Sequence, residues 1–147
     1  MARGDAKQFQ DYPLKAGNGD YNNSADTFKI AFITDAYGTV SVTGTNPALN
    51  DFTQVSAGGN YPAGGLSLAN ITWSRTGAVS ALDSDNVTMA AAAGNPNNAR
   101  TGLLINVTAG NSCISAVDLT TDGTTPPDLV NNPITLNISD FFTGTVS

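Results

Sequence analysis

The side chains that most often carry enzyme chemistry are nearly absent from this sequence. It contains no histidine and no glutamate, and its only cysteine is Cys113. A Ser-His-Asp triad and a Cys-His pair both need a histidine base, and a structural zinc site needs several cysteine or histidine ligands. The common phosphate-binding and serine-nucleophile motifs are missing too. We therefore expect a protein that is not an enzyme, with no catalytic residues, no cofactor and no metal.

The best candidate for a metal site is the segment Asp83-Ser84-Asp85-Asn86. Carboxylate, amide and backbone oxygens are the hard ligands that calcium prefers. An EF-hand loop also needs a glycine and a distal glutamate, and neither is present in register. Because Asp and Asn side chains readily stabilise turns, we favour an Asx turn between two strands. Asp118 and Asp122, around the TTDG sequence, are interpreted in the same way.

Two other reactive features have simple structural explanations. Cys113 opens an apolar segment and has no cationic residue near it in the sequence, so we expect a buried, unreactive thiol. The chain also contains N-x-S/T triplets, the acceptor pattern for N-glycosylation. We interpret these as coincidence in a chain crowded with Asn, Ser and Thr. The triplets begin at Asn22, Asn70, Asn86, Asn106 and Asn137.

The charge composition favours contact with other proteins over contact with nucleic acid. Twelve aspartates against six lysines and arginines give a net charge of −6, and the basic residues are scattered. A phosphate-binding face needs clustered basic residues. Charged residues make up 12% of the chain, against a typical ~25%. Neutral amides and hydroxyls cost less to desolvate than charges, which suits packing against neighbouring subunits. A free domain in a high-salt or acidic environment is the alternative.

The elements that position these residues are predicted to be short strands. TFKIAFI, from Thr27, alternates apolar and polar residues with period two, and TVSVT and FTQVS are further candidates. In LSLANITWS the apolar residues shift from even-numbered to odd-numbered positions, which predicts a bulge near Ala69 and Asn70. TGLLINV and CISAVDL are near-continuous apolar strands, whereas TTDGTTPPD excludes regular structure. ITLNI and FFTGTV are predicted to form a hairpin around Ser139 and Asp140.

This pattern of about eight to ten strands at roughly ten-residue spacing predicts an all-β fold, an antiparallel β-sandwich or jelly-roll. We expect few helical residues beyond residue 26, because glutamate is absent and lysine is rare.

Residues 1–26 differ in composition from the rest, and we predict an N-terminal arm followed by a β-sandwich domain over 27–147. DAKQFQD could form one or two helical turns capped by Asp5, and a disordered tail is the alternative. Phe9, Tyr12 and Tyr21 stand in this polar segment, where an isolated arm has no core to bury them. We therefore interpret them as interface anchors for a sister subunit or another protein.

The sequence shows no targeting or membrane segment. MARGDAKQFQ is polar and lacks the apolar centre of a signal peptide, and no stretch approaches the ~20 apolar residues of a membrane span. We expect synthesis in a cytoplasm and no membrane partner.

The order of segments resembles a group of small virion proteins of tailed bacteriophages. The resemblance lies in Asp26 to Lys29, Tyr61 to Leu66 and Ala99 to Ile105, with Asp118 matching an aspartate-containing strand. The FFTGTV ending matches loosely, and the TTPPDLVNNP insertion departs from the pattern. The resemblance implies a structural role on the capsid surface of a virion made in a host cytoplasm. It brings no catalytic residues.

Three functions follow from these observations. The first is a capsid decoration (cement) protein, a homotrimer that binds the major capsid protein or other virion proteins and stabilises the head lattice. The second is an adaptor associated with the tail, collar or fibre of the same particle. The third is a carbohydrate-binding β-sandwich in which Trp73, Tyr37 or Tyr61 would stack on sugar, although Trp73 sits in an alternating strand and is predicted to fill the core.

Overall fold

The computed structural model describes residues 4–77, 79–138 and 143–145. Short antiparallel strands dominate, so the predicted all-β class is confirmed. The helical elements of the described residues are one helix, α1 (Tyr12–Gly17), and the 3-10 turns Tyr37–Thr39 and Leu49–Asp51. The strands of the described residues are β1 (Ala6–Gln8), β2 (Phe28–Ile33), β3 (Leu66–Ser67), β4 (Thr72–Thr76), β5 (Val79–Asp83), β6 (Val87–Met89), β7 (Thr101–Asn106), β8 (Ser112–Asp118), β9 (Ile134–Leu136) and β10 (Thr143–Thr145).

The largest sheet has five strands in the order β1-β8-β7-β2-β3, and each neighbouring pair is antiparallel. Its centre is the hairpin of β7 and β8, which correspond to the predicted strands TGLLINV and CISAVDL. All of β7 is buried, and so is β8 after its first residue. A strand that is covered on both faces has no solvent-facing side, which explains why these two segments are nearly continuously apolar.

Two hydrophobic clusters lie on the opposite faces of this sheet. Alternate residues of β2 divide between them, because successive side chains of a strand point to opposite faces. Phe28, Ile30 and Phe32 enter one cluster, the main core, whereas Ala31 and Ile33 enter the other, the second core. The period-two pattern predicted for this strand is therefore confirmed.

Different parts of the chain cover the two faces. The main core also receives side chains from strands of the two smaller sheets: Leu82, Val87, Met89, Ile134 and Leu136. The loop that follows β2 closes the second core through Tyr37, Val40 and Leu49. Lys7 holds that loop in place, since its Nζ donates hydrogen bonds of 2.6 Å to the backbone oxygens of Tyr37 and Val40.

The smaller sheets correct the predicted C-terminal hairpin. Strand β9 pairs with β6, and β10 pairs with β5 in a three-stranded sheet of order β10-β5-β4. ITLNI and FFTGTV therefore do not pair with each other in the described residues, and the predicted turn at Ser139 and Asp140 lies outside them. Each strand finds a partner distant in sequence, which a local pattern cannot reveal.

Two other local predictions are also corrected. LSLANITWS contains no bulge: Asn70, with a φ of 52°, separates β3 in the main sheet from β4 in the three-stranded sheet. Asparagine tolerates this left-handed conformation better than most residues. TVSVT is not a strand, because a 3-10 turn, Tyr37–Thr39, leads Val40 into the second core instead. FTQVS contributes only an isolated bridge, from Gln54 to Ile33.

The N-terminal segment is part of the main sheet and not a separate arm. Ala6–Gln8 is strand β1 and pairs with β8, so the predicted helix over DAKQFQD is wrong. The helix begins later, at Tyr12, with Pro13 in its first turn, where its missing N–H costs nothing. The predicted boundary after residue 26 therefore does not separate an arm from a body, since β1 already completes one edge of the sheet.

Candidate functional site

The acidic segment considered for calcium is a short connection between two strands, and the predicted Asx turn is not formed, because the Asp85 amide donates to the Ala69 oxygen and not to Asp83. It connects the end of β5 at Asp83 to the start of β6 at Val87. The Ser84 amide donates a 2.8 Å hydrogen bond to Asp83 Oδ1, and Asn70 Nδ2 donates one of 2.6 Å to Asp85 Oδ2. Within residues 4–77, 79–138 and 143–145, no group of three or more Asp and Cys side chains is arranged to hold a metal ion.

The aspartates around TTDG also stabilise local backbone. Asp118 is fully buried, and its Oδ1 accepts hydrogen bonds from the amide and the hydroxyl of Thr120 at 2.9 and 2.6 Å. Asp122 is exposed and accepts from the amides and hydroxyls of both Thr124 and Thr125. The hydrogen bonds from Thr125, and then those from Thr124, hold the pKa of Asp122 well below its usual value. Both carboxylates therefore organise turns.

Cys113 is completely buried in β8, as predicted. Burial raises the pKa of its thiol to about 12. The thiolate is the reactive form, so this cysteine is unsuited to act as a nucleophile at neutral pH.

The three aromatic residues predicted to anchor an interface are buried inside their own chain, and that prediction is corrected. Phe9 lies in the second core, and Tyr12 and Tyr21 lie in the main core, with their rings 5.5 Å apart. Their exposed fractions are only 1–5%. The Tyr21 hydroxyl is hydrogen-bonded to the Ser112 hydroxyl, at the start of β8. Because β1 and α1 bring these side chains onto the sheet, they need no second protein to cover them.

Two of the three aromatics considered for sugar stacking are also unavailable. The Tyr61 ring stacks on Phe32 at 4.9 Å, and its hydroxyl accepts a 2.7 Å hydrogen bond from the Phe32 amide. Tyr37 is buried beneath Lys7, whose Nζ lies 4.3 Å from the centre of the ring. Both rings therefore have structural roles.

Trp73 differs from these residues. It was predicted to fill the core, and it does pack against the main core, but its side chain is only half-buried. It also forms one wall of a groove of about 490 Å³. We call this the Trp73 groove, and its other lining residues, among those that the structure describes, are Ala16, Gly17, Gly19, Tyr21, Asn22, Asn23 and Ser24.

Hydrogen bonds hold the loop that forms the opposite wall of the groove. The Asn22 amide donates to Asp26 Oδ2 at 2.8 Å, and Asn22 Oδ1 accepts from the Ser24 amide at 3.2 Å. Asn106, at the end of β7, donates to the same oxygen of Asp26 at 2.7 Å. Gly19, with a φ of 82°, makes the sharp exit from α1 possible. The loop is thus fixed to the main sheet, and the groove is preformed.

Sequence reasoning missed this groove because its two walls are far apart in the chain. The available signal was Trp73 itself, a large aromatic in a strand whose other side chains are all polar: Thr72, Ser74, Arg75 and Thr76. All four are exposed. A tryptophan on such a strand has only one place to bury its ring, the side that faces the rest of the chain.

Two further clefts, of about 550 and 530 Å³, lie beside the loop over residues 121–133. They share the segment from Thr125 to Asp128, and Pro127 within it is buried. Asp128 accepts hydrogen bonds from the amides of Val130 and Asn131 and from the side chain of Asn131. The clefts contain no aromatic side chain among the described residues and only one charged group, Asp128. They offer less for recognition than the Trp73 groove.

Comparison with protein-family models, with curated proteins and with solved structures finds no match for this chain. The resemblance to phage virion proteins therefore remains a prediction. No helix among the described residues is long and apolar enough to cross a membrane.

Proposed function

We propose that this protein is a non-enzymatic structural protein of a tailed-bacteriophage particle, a decoration protein that binds and stabilises the capsid. Its partner in this proposal is the major capsid protein or another virion protein. Three sequence features support the proposal: the neutral, charge-poor composition, the lack of histidine and glutamate, and the segments that resemble small virion proteins. The structural observation that carries it is the exposure of the edge strand β4.

Strand β4 buries little against its own chain, since Trp73 is half-buried and its other side chains are exposed. In the described part of β5, Leu82 is fully buried, Ser80 and Ala81 are half-buried and Asp83 is exposed. Strand β4 is an edge strand that pairs only with β5 among the described residues, and it contains no proline. Small sheets need an apolar face or a packing partner for stability. Open edges of this kind are places where another chain can pair.

The chemistry of β4 also suits a protein partner. Its exposed side chains are threonine and serine apart from Arg75. Short hydroxyl side chains lose little conformational entropy on contact, whereas ordering a Lys or Glu costs up to ~2 kcal/mol. Hydroxyls can both donate and accept hydrogen bonds, so a neutral interface can be satisfied without ion pairs.

We propose that the layers form an antiparallel β-sandwich, or jelly-roll, with the five-stranded sheet as one layer and the smaller sheets as the other. The support is that side chains of β2, β7 and β8 share the main core with those of β5, β6 and β9. We further propose a homotrimer, because decoration proteins that sit on local three-fold axes of a shell gain from matching its symmetry.

The test is co-sedimentation with empty phage heads, tails and whole particles. The Ser74→Glu/Thr76→Glu variant adds two like charges to β4, and we expect it to bind heads about tenfold or more weakly than the parent chain. The Asn97→Glu/Asn98→Glu variant makes the same charge change on an exposed loop outside the sheet and should bind normally.

Each outcome of this experiment has a defined meaning. Binding to isolated tails and not to heads would replace the capsid assignment with the tail, collar or fibre adaptor. No binding of the parent chain to any particle component would refute the virion proposal. Equal weakening by both double variants would refute the role of β4. Sedimentation equilibrium of the parent chain tests the trimer, and a monomer at all concentrations would contradict it.

A further inference from the structure

The Trp73 groove has the composition of a binding site for an uncharged ligand. Its volume of about 490 Å³ lies within the roughly 300–1,000 Å³ of small-molecule sites. None of the described side chains that line it is charged. A phosphate, carboxylate or ammonium group would therefore lose its hydration without gaining an ionic partner, which is unfavourable. This argues against nucleotides, acidic sugars and cationic ligands.

The groove combines one aromatic wall with one wall of amides and hydroxyls. Trp73 supplies an indole surface, and the loop opposite supplies Asn22, Asn23 and Ser24. The C–H bonds on one face of a sugar ring carry partial positive charge, which matches the negative face of an indole. The ring's hydroxyl groups can donate to or accept from Asn and Ser side chains. A sugar ring presents both surfaces at once, whereas a purely apolar ligand would leave the amides unpaired.

We propose that the Trp73 groove binds a neutral carbohydrate, one or two pyranose units of an uncharged glycan. Trp73 is the stacking platform, and Asn22 and Ser24 are the exposed hydrogen-bonding groups at its rim. The groove is preformed, because Asp26 and Asn106 fix the loop before any ligand arrives. Preorganisation of this kind reduces the entropy lost on binding. This inference goes beyond the proposed capsid role and does not depend on it.

Trp73 also provides the measurement, because it is the only tryptophan in the chain. Its intrinsic fluorescence therefore comes from a residue that lines this groove. The probes are neutral oligomers of glucose, galactose and N-acetylglucosamine, with sialylated and sulfated oligosaccharides as charged comparisons. We expect a saturable change in fluorescence with at least one neutral oligomer and none with the charged oligosaccharides.

Two kinds of variant locate the binding, with affinity measured by calorimetry. Trp73→Ala should abolish binding, and Trp73→Phe should retain a weakened affinity because an aromatic face remains. Ser24→Ala should weaken binding about 2- to 10-fold, the effect of losing one neutral hydrogen bond. Asn98→Ala changes an exposed amide that does not line the groove, and it should bind like the parent chain.

Gly17 allows the groove to be blocked without disturbing the core. It lines the groove, and a Cβ added there meets no heavy atom within 4 Å. Gly17→Phe should therefore fold normally and lose binding, whereas Gly17→Ala should fold normally and retain most of it. Circular dichroism melts establish that each variant is folded.

The possible results separate the alternatives. No fluorescence change with any neutral oligomer at millimolar concentration would overturn the proposal. Binding confined to sialylated or sulfated oligosaccharides would also overturn it, as would sugar binding that survives both Trp73→Ala and Gly17→Phe. A change in Trp73 fluorescence that follows protein concentration and not sugar concentration would show that a second copy of the chain occupies the groove instead. The sugar-binding result does not depend on whether the chain binds phage heads in the co-sedimentation experiment.

Discussion

The side-chain oxygen of Asn95 accepts a 2.7 Å hydrogen bond from the backbone amide of Asn60 and so joins two loops that lie 35 residues apart. The Asn95 amide nitrogen donates to the backbone oxygens of Ala90 and Leu129, each at 2.8 Å. Asn95 is only 5% exposed. One buried side chain therefore satisfies the backbone groups of three separate loops.

We predict that Asn95→Ala destabilises the fold by about 3 kcal/mol, because it removes one buried hydrogen bond, to Leu129, and two partly buried ones, each worth about 0.5–1.5 kcal/mol. The measurement is the free energy of unfolding in urea. The control is Asn98→Ala, which changes an exposed asparagine three positions away and should shift stability by less than about 0.5 kcal/mol. Equal effects of the two substitutions would show that the Asn95 network does not stabilise the loops.

The same loops approach each other so closely that only glycine fits at the crossing. A Cβ added to Gly59 would lie 2.6 Å from the backbone nitrogen of Asn95 and 2.8 Å from the carbonyl carbon of Gly94. Gly59 also has a φ of 55°, which a larger residue adopts at some cost. The crossing therefore imposes a steric demand in addition to a conformational one.

A pair of glycine variants separates these two demands. Gly110 has a φ of 72°, but a Cβ there meets nothing within 4 Å. We expect Gly110→Ala to cost about 1 kcal/mol through its backbone conformation alone. Gly59→Ala should cost at least about 2 kcal/mol more, because backbone atoms cannot move aside easily. Thermal melts of both variants provide the comparison, and similar values of Tm would rule out the proposed close contact.

The central strands could be predicted from sequence because their environment leaves a local signature. Phe28 and Ile30 are buried in the main core, whereas Thr27 is exposed and Lys29 is only partly buried, which gives the period-two pattern at the start of β2. Strand β7, buried on both faces, gives a nearly continuous apolar run. In each case the pattern along the chain directly reflects which faces of the strand are covered.

The remaining features depend on contacts between distant segments. Strand β1 pairs with β8, where Lys7 lies opposite Ala116, and nothing in the polar sequence of residues 4–8 indicates this partner. The burial of Phe9 follows from that pairing. The Trp73 groove likewise needs β4 and the loop after α1 to meet. The connection after Asp83 also depends on a distant segment, because the Asp85 amide donates to the Ala69 oxygen and the Asp85 carboxylate accepts from Asn70.

Because Phe9 is buried in its own chain, its truncation should destabilise the fold, whereas truncation of an interface anchor would leave the stability of the fold unchanged. Its side chain is 1% exposed in the second core. We therefore expect Phe9→Ala to lower the free energy of unfolding by about 3–5 kcal/mol, the usual cost of removing a buried phenylalanine. The control is Leu14→Ala, since Leu14 is 60% exposed and its truncation should cost less than about 1 kcal/mol.

Removal of the whole N-terminal segment extends this test. Deleting residues 1–21 takes away β1 together with Phe9, Tyr12 and Tyr21, so the truncated chain should be strongly destabilised. Urea denaturation followed by circular dichroism measures the loss of stability caused by Phe9→Ala and by the deletion. A truncated chain that melts like the full chain would mean that these residues contribute no packing and would restore the idea of a separate arm.

The last prediction concerns acid and the loop over residues 121–133. Asp122 accepts four hydrogen bonds from Thr124 and Thr125, which keep its pKa below the ordinary value of 3.8. A carboxyl group whose pKa is lower in the folded state than in the unfolded state stabilises the fold above the unfolded pKa. That contribution is lost as the pH falls below 3.8 and through the lower folded value. Asp122 should therefore remain ionised at acidities where an ordinary aspartate is protonated.

Nuclear magnetic resonance titration of the aspartate carboxyl groups measures this directly. Thr125 contributes the largest effect on the pKa of Asp122, through its amide first and its hydroxyl next. We expect Thr125→Val, which removes only the hydroxyl, to raise the pKa of Asp122 toward 3.8 while leaving it below that value, since the amide hydrogen bonds remain. Thr76→Val is the control, because Thr76 is exposed on β4 and is not a hydrogen-bond partner of Asp122. If Asp122 titrates normally in the parent chain, or if both variants shift it equally, the network does not set its ionisation.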